Sequence, residues 1–373
     1  MDKLKLIIQC HFGLEKLAKR EVNKLGLEIY EVVDGEVKAY GEFKDIPRLN
    51  INLRTCERVL IEVGNFKATT FEELFENAKK INFEEYVPVD GAFPITKANS
   101  DKNSKIYSST TIQSMVKKAA VERLMNKYSI NELPETGKKY PFRVKVLKDI
   151  FSIRLDTTGP SLHKRGYRIS NVDAPIEETL AAALIMLTDY RYDKVLVDPF
   201  TGSGTFPIEA YMYANKISPG LDRAFISETW SNVIKKEYWN EAFNEAKSNI
   251  INNKLKIYAS DIDSKAISIA RSNIERAGAT NQIILKNLDV KDVKINEDSG
   301  IIICNPPYGE RMETVDSVRP IYEKLKIMMD NHSGFNKYVI TSYEDTENIL
   351  GKATRNRKIY NGMLKTYFYT YEV

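Results

Sequence analysis

The stretch DPFTGSGTFPIEA (Asp198–Ala210) follows the apolar run KVLV and opens a helical pattern. Gly202 and Gly204 permit a tight turn in which a bulky ligand can approach the backbone. The helix after them offers free N–H groups and the positive end of its dipole, which suit a carboxylate as well as a phosphate. The segment therefore predicts a ligand-binding loop between a strand and a helix of a parallel α/β domain.

A glycine loop alone leaves a nucleotide phosphate open as the ligand. No Lys followed by Ser or Thr completes a P-loop, and Asp198 would repel a phosphate. An acid at this strand end is better suited to pairing with an ammonium group, directly or through water.

Two further strands are predicted to end in acids. KIYASDID places Asp261 at a strand end, where a ribose hydroxyl acceptor is expected, and Asp263 where it caps the next helix. Ile262 would pack on an adenine ring, and Asp289, after QIILKNL, would accept an adenine amino group. One such Asp alone is more often a helix cap or turn residue. Three acids at three successive strand ends favour a site.

The segment IIICNPPYGER (Ile301–Arg311) runs from a buried strand into a rigid double-proline turn. The turn would orient the side-chain oxygen of Asn305 and the carbonyl of Pro306 as two acceptors for an exocyclic amine. With its lone pair directed out of the base plane, the amine is positioned for methyl transfer without a metal. Pro307 fixes the turn, and Tyr308 can stack on a base removed from its helix. The motif serves adenine N6, cytosine N4, guanine N2 and some protein amides, so it defines the reaction and not the substrate.

Pattern along the chain predicts three parts: an α+β unit over residues 1–62, a second over 63–160, and an α/β domain over 161–373 that ends in a β-hairpin. The first unit is expected to run strand, helix, strand, helix, strand. Residues 216–246, with Trp230 and Trp239, form an insertion predicted as helices beside the active site. The two tryptophans are more simply core residues than base-stacking residues.

Charge is concentrated in the middle of the chain. Residues 97–170 hold 16 Lys and Arg against 6 Asp and Glu, a net of +10, whereas the whole chain has a net of +4. Such a basic region between mildly acidic flanks predicts a polyanion-binding surface.

Composition excludes several other classes. No apolar run is long enough to cross a membrane. The three cysteines and three histidines are scattered, so neither a disulfide framework nor a metal site is expected. The N-terminus predicts a strand and a helix rather than a signal peptide, which makes a cytoplasmic location the simplest expectation.

The chain resembles the THUMP-domain Rossmann-like methyltransferases, specifically the bacterial large-subunit ribosomal RNA guanine-N2 methyltransferase family and its transfer RNA relatives. The resemblance spans almost the whole chain and rests on five segments: LHKRGYR (162–168), APIEETLAAAL (174–184), DPFTGSGTFPIEA, SPGLDR (218–223) and NPPYGERM (305–312). It implies a ferredoxin-like domain, a THUMP RNA-binding domain and a seven-stranded methyltransferase domain with an antiparallel last strand. The implied reaction is methyl transfer from S-adenosylmethionine to guanine N2, in 23S rRNA first and tRNA second.

The expected site residues follow from the motifs and the resemblance together. The expected cofactor-binding residues are Asp198, Pro199, Phe200, Gly202, Gly204, Thr205, Asp261, Ile262 and Asp289. The expected catalytic residues are Asn305, Pro306, Pro307 and Tyr308. The expected phosphate-contacting residues are Lys97, Lys102, Lys105, Lys164, Arg165 and Arg168; a solvated linker is an equally good interpretation for the last three.

Two other functions compete with this prediction. A DNA adenine-N6 methyltransferase shares the motif Asn305–Tyr308, but the N-terminal RNA-type region argues against it. A non-catalytic RNA-binding assembly factor could keep the fold, but the intact motifs argue against that.

Overall fold

The strands of the N-terminal half pair into one seven-stranded sheet in the order β2-β3-β1-β4-β7-β6-β5. All neighbours are antiparallel except β5 and β6. The strands are β1 (Leu4–Cys10), β2 (Glu28–Val33), β3 (Glu36–Gly41), β4 (Cys56–Lys67), β5 (Ile95–Ser100), β6 (Phe142–Leu147) and β7 (Ile150–Asp156). The computed structural model describes residues 3–168, 175–308, 318–362 and 364–373.

The helices of this half are α1 (Glu15–Lys24), α2 (Asp45–Asn52), α3 (Phe71–Lys79) and α4 (Ser109–Tyr128). The side chain of Ser108 caps α4 by accepting from the Thr111 N–H, and Ser129 ends the helix in the left-handed conformation. Its apolar stripe is buried as its spacing predicts, for example at Ile112 and Val116.

One expectation for this half is wrong. The first unit has an additional strand because Asp34 and Gly35 form a two-residue turn between β2 and β3, with Gly35 at φ +73°. Asp-Gly between alternating apolar residues is a strong hairpin signal. Strand β4 crosses the boundary expected at residues 62 and 63 and pairs with both β1 and β7, so the two predicted α+β units share one sheet.

The C-terminal half forms a second seven-stranded sheet in the order β10-β9-β8-β11-β12-β14-β13. Strands β8 to β12 are parallel, and β14 is antiparallel to both neighbours. The strands are β8 (Leu196–Asp198), β9 (Ile257–Asp261), β10 (Ile283–Asn287), β11 (Gly300–Cys304), β12 (Phe335–Thr341), β13 (Arg355–Asn361) and β14 (Leu364–Tyr371). This mixed sheet confirms the predicted fold class.

Buried clusters cover both faces of this sheet. One includes residues of α5 (Glu178–Leu187), α6 (Thr205–Ala214) and α8 (Ser264–Arg276), and the other residues of α9 (Arg319–Asn331) and α10 (Thr346–Leu350). Strand order reverses at β8, which has β9 on one side and β11 on the other. In such sheets a ligand binds beyond the carboxyl ends of the strands at this reversal.

Packing divides the chain into two units. The first comprises the residues up to Cys10, Ala18–Leu162 and Ala224–Glu245, and the second comprises His11–Leu17, His163–Arg223 and Ala246–Val373. Ala224–Glu245 therefore packs with the first unit, although the sequence places it inside the third domain. The segment includes most of helix α7 (Lys236–Ser248).

Both tryptophans are core residues of the first unit. Trp230 is fully buried, stacks on Tyr140 with ring centres 5.0 Å apart, and donates its indole N–H to the Lys139 carbonyl. Trp239 stacks on Phe225. The structure gives neither ring the exposure that base stacking requires. In the part of the chain that the structure describes, no helix is both long enough and apolar enough to span a membrane.

Candidate active site

The loop after β8 is shaped by its glycines and by hydrogen bonds to the neighbouring strand. Gly202 and Gly204 have φ values of +51° and +85°, a conformation that costs other residues energy. The Thr201 N–H donates to the Ser260 carbonyl at 2.9 Å, which fixes the loop against the end of β9. Gly204 caps α6, and a Cβ added there would lie 3.4 Å from the Cβ of Ala270.

Asp261, at the end of β9, holds the same loop from the other side. Its carboxylate accepts from the Gly202 N–H at 2.9 Å and from the Asp263 N–H at 3.0 Å. Burial raises the pKa of Asp261 from its ordinary value. Asp263 caps α8 by accepting from the Lys265 N–H, as its position in the sequence predicts.

Asp198 is 1% exposed at the end of β8. One carboxylate oxygen accepts from the Phe200 N–H at 3.2 Å, whereas the other, Oδ2, has no donor in hydrogen-bond geometry among the described residues, although the nearby Thr201 hydroxyl acts to lower the pKa of this carboxyl. Burial raises the pKa of Asp198 to about 8. A buried acceptor without a donor is costly, so this position favours a ligand that brings a positive charge or an N–H group.

The residues after β11 offer a second acceptor of this kind. Asn305 follows the fully buried end of the strand, and its Oδ1 is buried without a donor among the residues that the structure describes. Pro306 is buried and Pro307 is exposed. The hydroxyl of Tyr308 accepts a hydrogen bond from the Asn361 amide at 3.2 Å. Gly309–Met312, the rest of the motif, lie outside the described residues.

A cavity of about 720 Å³ joins these two groups of residues. Its size is in the usual range for a small-molecule site. The expected cofactor-binding residues in its lining are Pro199, Phe200, Gly202, Thr205, Asp261, Ile262 and Asp289, and all four residues from Asn305 to Tyr308 line it too. Asp198 and Gly204 are not among its lining residues.

Ile262 and Asp289, the two lining residues expected to contact an adenine, have surroundings that suit this role. Ile262 is 66% exposed in the cavity wall, so an apolar ring could cover it. Asp289 pairs with Lys324 at 2.6 Å and caps a short turn through the Lys291 N–H. The Lys324 ammonium and these hydrogen bonds lower the pKa of Asp289 despite some burial. Asp289 is therefore held as a charged acceptor.

Sequence reasoning missed several cavity residues. The most informative are Lys324 from α9 and the hairpin residues Asn361, Gly362 and Leu364. No motif marks Lys324. The sequence Asn361-Gly362 is a strong signal for the hairpin turn, but the strand register pairs Asn361 with Leu364, so the turn begins one residue later. The other missed lining residues are Pro175, Ile176, Glu177, Thr201, Ser203, Phe206, Asp263, Ala266, Val290 and Ile321.

Four of the six expected phosphate contacts lie on the surface. Lys97, Lys102 and Lys105 are exposed in the first unit, and Lys164 is exposed in the second. Their positions are compatible with a polyanion contact, which stays a prediction.

The expectation for Arg165 does not fit the structure. Its side chain is 1% exposed and lies 3.3 Å from the Glu209 carboxylate of α6, so it offers no surface to a phosphate. Arg168 is also turned inwards: it pairs with Glu178 at 3.2 Å and donates to Thr205 and to the Ile176 carbonyl. A basic connector sequence looks the same whether its arginines face solvent or a buried acid.

The strand order, the glycine loop after β8 and the acceptors after β11 define an S-adenosylmethionine-dependent methyltransferase of the Rossmann-like class. Three family models match the chain: an RlmL ferredoxin-like domain over residues 5–60, a THUMP domain over residues 68–156 and an RMKL-like methyltransferase domain over residues 165–369. The chain belongs to the RMKL-like methyltransferase family, which confirms the resemblance stated from its motifs.

Individual relatives match over nearly their full length. The chain is 41% identical over 375 residues to "Putative RNA methyltransferase YpsC" of Bacillus subtilis (strain 168), covering 100% of this chain and 96% of that protein. The structure described as "a possible methylase from Clostridium difficile 630" has 45% identity and a TM-score of 0.95, with 99% of this chain and 98% of that chain covered. The structure of "SMU.472, a putative methyltransferase complexed with SAH" has 36% identity and a TM-score of 0.94, with 100% of this chain and 98% of that chain covered.

Proposed function

We propose that this protein transfers a methyl group from S-adenosylmethionine to the exocyclic N2 amine of a guanosine in RNA. 23S ribosomal RNA is the first candidate substrate, and transfer RNA is the second. The proposal depends above all on one observation: Oδ1 of Asn305, in the cavity wall, is buried and has no donor among the described residues.

The described residues fit S-adenosylmethionine. Among the described residues no donor reaches Oδ2 of Asp198, which suits an ammonium group, directly or through water, and the positive-φ glycines leave room for a ligand close to the backbone. Asp261 would accept from the ribose hydroxyls, Ile262 would pack on the adenine, and Asp289 would accept from its amino group. When bound, the cofactor supplies a methyl group already activated on a sulfonium.

The chain's own residues position the amine. Oδ1 of Asn305 and the carbonyl of Pro306 would accept its two N–H groups, which orients the nitrogen lone pair out of the base plane. Tyr308 would stack on the base. Positioning of this kind supplies much of the rate enhancement when the electrophile is already activated. We expect no strong general base to be required.

RNA is favoured as the substrate by the N-terminal region. The THUMP match covers residues 68–156, and Lys97, Lys102 and Lys105 are exposed within it. The curated relative from Bacillus subtilis carries an RNA methyltransferase name. One similar structure, from Listeria monocytogenes, is described as a predicted N6-adenine-specific DNA methylase, so DNA belongs among the tested substrates.

The test supplies isotope-labelled S-adenosylmethionine to the purified protein with unmodified ribosomal RNA, transfer RNA or genomic DNA. Products are digested to nucleosides and identified by mass spectrometry. Labelled N2-methylguanosine from ribosomal RNA is the expected result. If only transfer RNA yielded this nucleoside, transfer RNA would be the substrate. Labelled N6-methyladenine from DNA would overturn the proposal.

Asn305→Ala supplies the matched control for the same assay. We expect turnover to fall at least about a hundredfold, because a preorganised polar contact to the reacting group is lost. Binding of S-adenosylhomocysteine and RNA should remain close to wild type. Turnover that survives the substitution would contradict the role given to Asn305.

A further inference from the structure

The C-terminal hairpin carries lysines and tyrosines in alternation. Lys358 of β13 lies opposite Tyr367 of β14, and Tyr360 lies opposite Lys365. Because alternate residues of a strand face the same side, these four side chains share one face of the hairpin. We call Lys358, Tyr360, Lys365 and Tyr367 the hairpin face.

The hairpin face presents charge and aromatic surface together. Both lysines are exposed and both tyrosines are half-buried. The ammonium of Lys358 lies 5.1 Å from the ring centre of Tyr360, and that of Lys365 lies 5.1 Å from the ring centre of Tyr367. Phe12 contacts the Tyr360 ring edge-on and is itself 51% exposed.

The positive charge of this hairpin is poorly balanced by acids. Residues 355–371 contain Arg355, Arg357, Lys358 and Lys365 and no Asp or Glu. Arg355 pairs with Glu372 at 2.9 Å. For the other three cations, the described residues provide no carboxylate within ion-pair distance; Glu344 acts on Lys365 only from further away.

The hairpin is also continuous with the cavity. Asn361, Gly362 and Leu364, at its turn, line the cavity wall, and the Asn361 amide donates to the Tyr308 hydroxyl. Strand β13 is the edge of the sheet, so a chain approaching the cavity from this side meets the hairpin first.

We infer that the hairpin face binds the single-stranded RNA next to the nucleotide held in the cavity, with the lysines on phosphates and the tyrosines on base faces. Single-stranded RNA is bound by this combination of cations and aromatic rings, which tolerates any sequence. The inference rests on the proposed RNA substrate and adds a binding surface outside the methyl-transfer site.

The test compares two pairs of lysines. Lys358→Ala/Lys365→Ala removes both cations of the hairpin face. Lys254→Ala/Lys286→Ala is the matched control, because these lysines are exposed in the same unit, beside and within the strands of the opposite sheet edge. Binding of fluorescent oligouridine of about 12 nucleotides to the full-length protein is measured by anisotropy over a range of salt concentrations.

Loss of two phosphate contacts should weaken oligouridine binding roughly tenfold and reduce the salt slope of the logarithm of the binding constant by about 1.4. The control pair should bind as wild type does. Tyr360→Leu keeps apolar bulk against Phe12 but removes the stacking surface, so it should weaken binding about fivefold or more with an unchanged salt slope.

Thermal unfolding and S-adenosylhomocysteine affinity of each variant establish that the fold is intact. Hairpin-face variants that are folded and bind oligouridine within about twofold of the control pair would overturn the inference, whatever the wild type methylates. Conversely, weakened binding in the hairpin-face variants, combined with no labelled methylguanosine from any RNA, would leave the inference standing and refute the proposed reaction.

Discussion

Asp198 occupies a position where a charged carboxylate is disfavoured until a partner arrives. Its folded pKa is raised to about 8, whereas an exposed Asp titrates near 3.9. Between the two pKa values the folded protein keeps the proton of this carboxyl whereas the unfolded chain loses it. The free energy of unfolding is therefore highest below the unfolded pKa and falls as the pH rises to the folded pKa. We therefore expect the unliganded protein to lose stability between about pH 4 and pH 8.

Asp198→Asn removes this titration while keeping the oxygen that accepts from Phe200. Urea unfolding of the unliganded variant should therefore vary less with pH than that of the wild type. S-adenosylhomocysteine should bind the wild type more tightly as the pH rises towards 8, because the carboxylate becomes charged. The variant should bind it weakly at every pH. Equal pH dependence in the two proteins would contradict the role of Asp198.

Asn361 joins the hairpin to Tyr308 by donating a hydrogen bond to its hydroxyl. Asn361→Leu removes the donated hydrogen bond at similar volume, so the Tyr308 ring is fixed less well. We expect kcat/KM for RNA to fall about fivefold, as for one ordinary hydrogen bond, with S-adenosylhomocysteine affinity unchanged. Asn356→Leu, at an exposed position of the same strand, should leave both unchanged. A loss of cofactor affinity in Asn361→Leu would show instead that the hairpin turn shapes the whole cavity.

At the level of elements, the connector before α5 is held to α6 by a buried ion pair. Arg165 contacts Glu209, whose carboxylate also accepts from the Tyr167 hydroxyl. Arg165→Met leaves the Glu209 charge buried without its cation, which should destabilise the protein by about 3 kcal/mol or more. Arg165→Met/Glu209→Gln should recover at least half of this loss. Urea unfolding measures both values.

Measuring RNA binding distinguishes this buried ion pair from the phosphate contact that was expected for Arg165. Arg165→Met protein that is folded, at low temperature, should bind oligouridine as the wild type does. If Arg165→Met weakened RNA binding without changing stability, Arg165 would be a phosphate contact after all.

Strong local signals made most elements predictable. The glycine loop, the acids at the ends of β8 and β9, and the proline turn after β11 each combine a strand with a residue type that the following turn requires. Lys324 was not predictable, because its place in the cavity depends on how α9 packs, and a lysine on a helix has no local signature. The direction of Arg165 and the segment with Trp230 were missed for the same reason: both depend on distant partners, Glu209 and Tyr140.

On the scale of the whole molecule, exposed cations of the THUMP region should add long-range attraction for RNA. Lys97→Ala/Lys102→Ala/Lys105→Ala should weaken binding of structured RNA and lower its salt slope by about 2 to 3. Lys5→Ala/Lys19→Ala/Lys24→Ala, which removes three exposed lysines of the first unit elsewhere, is the control. Filter binding across salt concentrations measures both. If the two variants had identical salt slopes, Lys97, Lys102 and Lys105 would not belong to the RNA-binding surface.

The packing of Ala224–Glu245 with the first unit has a consequence for the order of events during translation. The sheet of that unit is complete once Asp156 has been made, yet Tyr140 still lacks Trp230, and the Tyr86 carbonyl still lacks the Asn232 amide. After Leu162, where the long segment of this unit ends, the ribosome must add 83 more residues, up to Glu245 (245 − 162), before the unit has all its chain. At about 5–20 residues per second this takes about 4–17 s. Throughout that interval the nascent protein exposes an aromatic surface that the finished enzyme hides, so this is the period in which it most needs a chaperone.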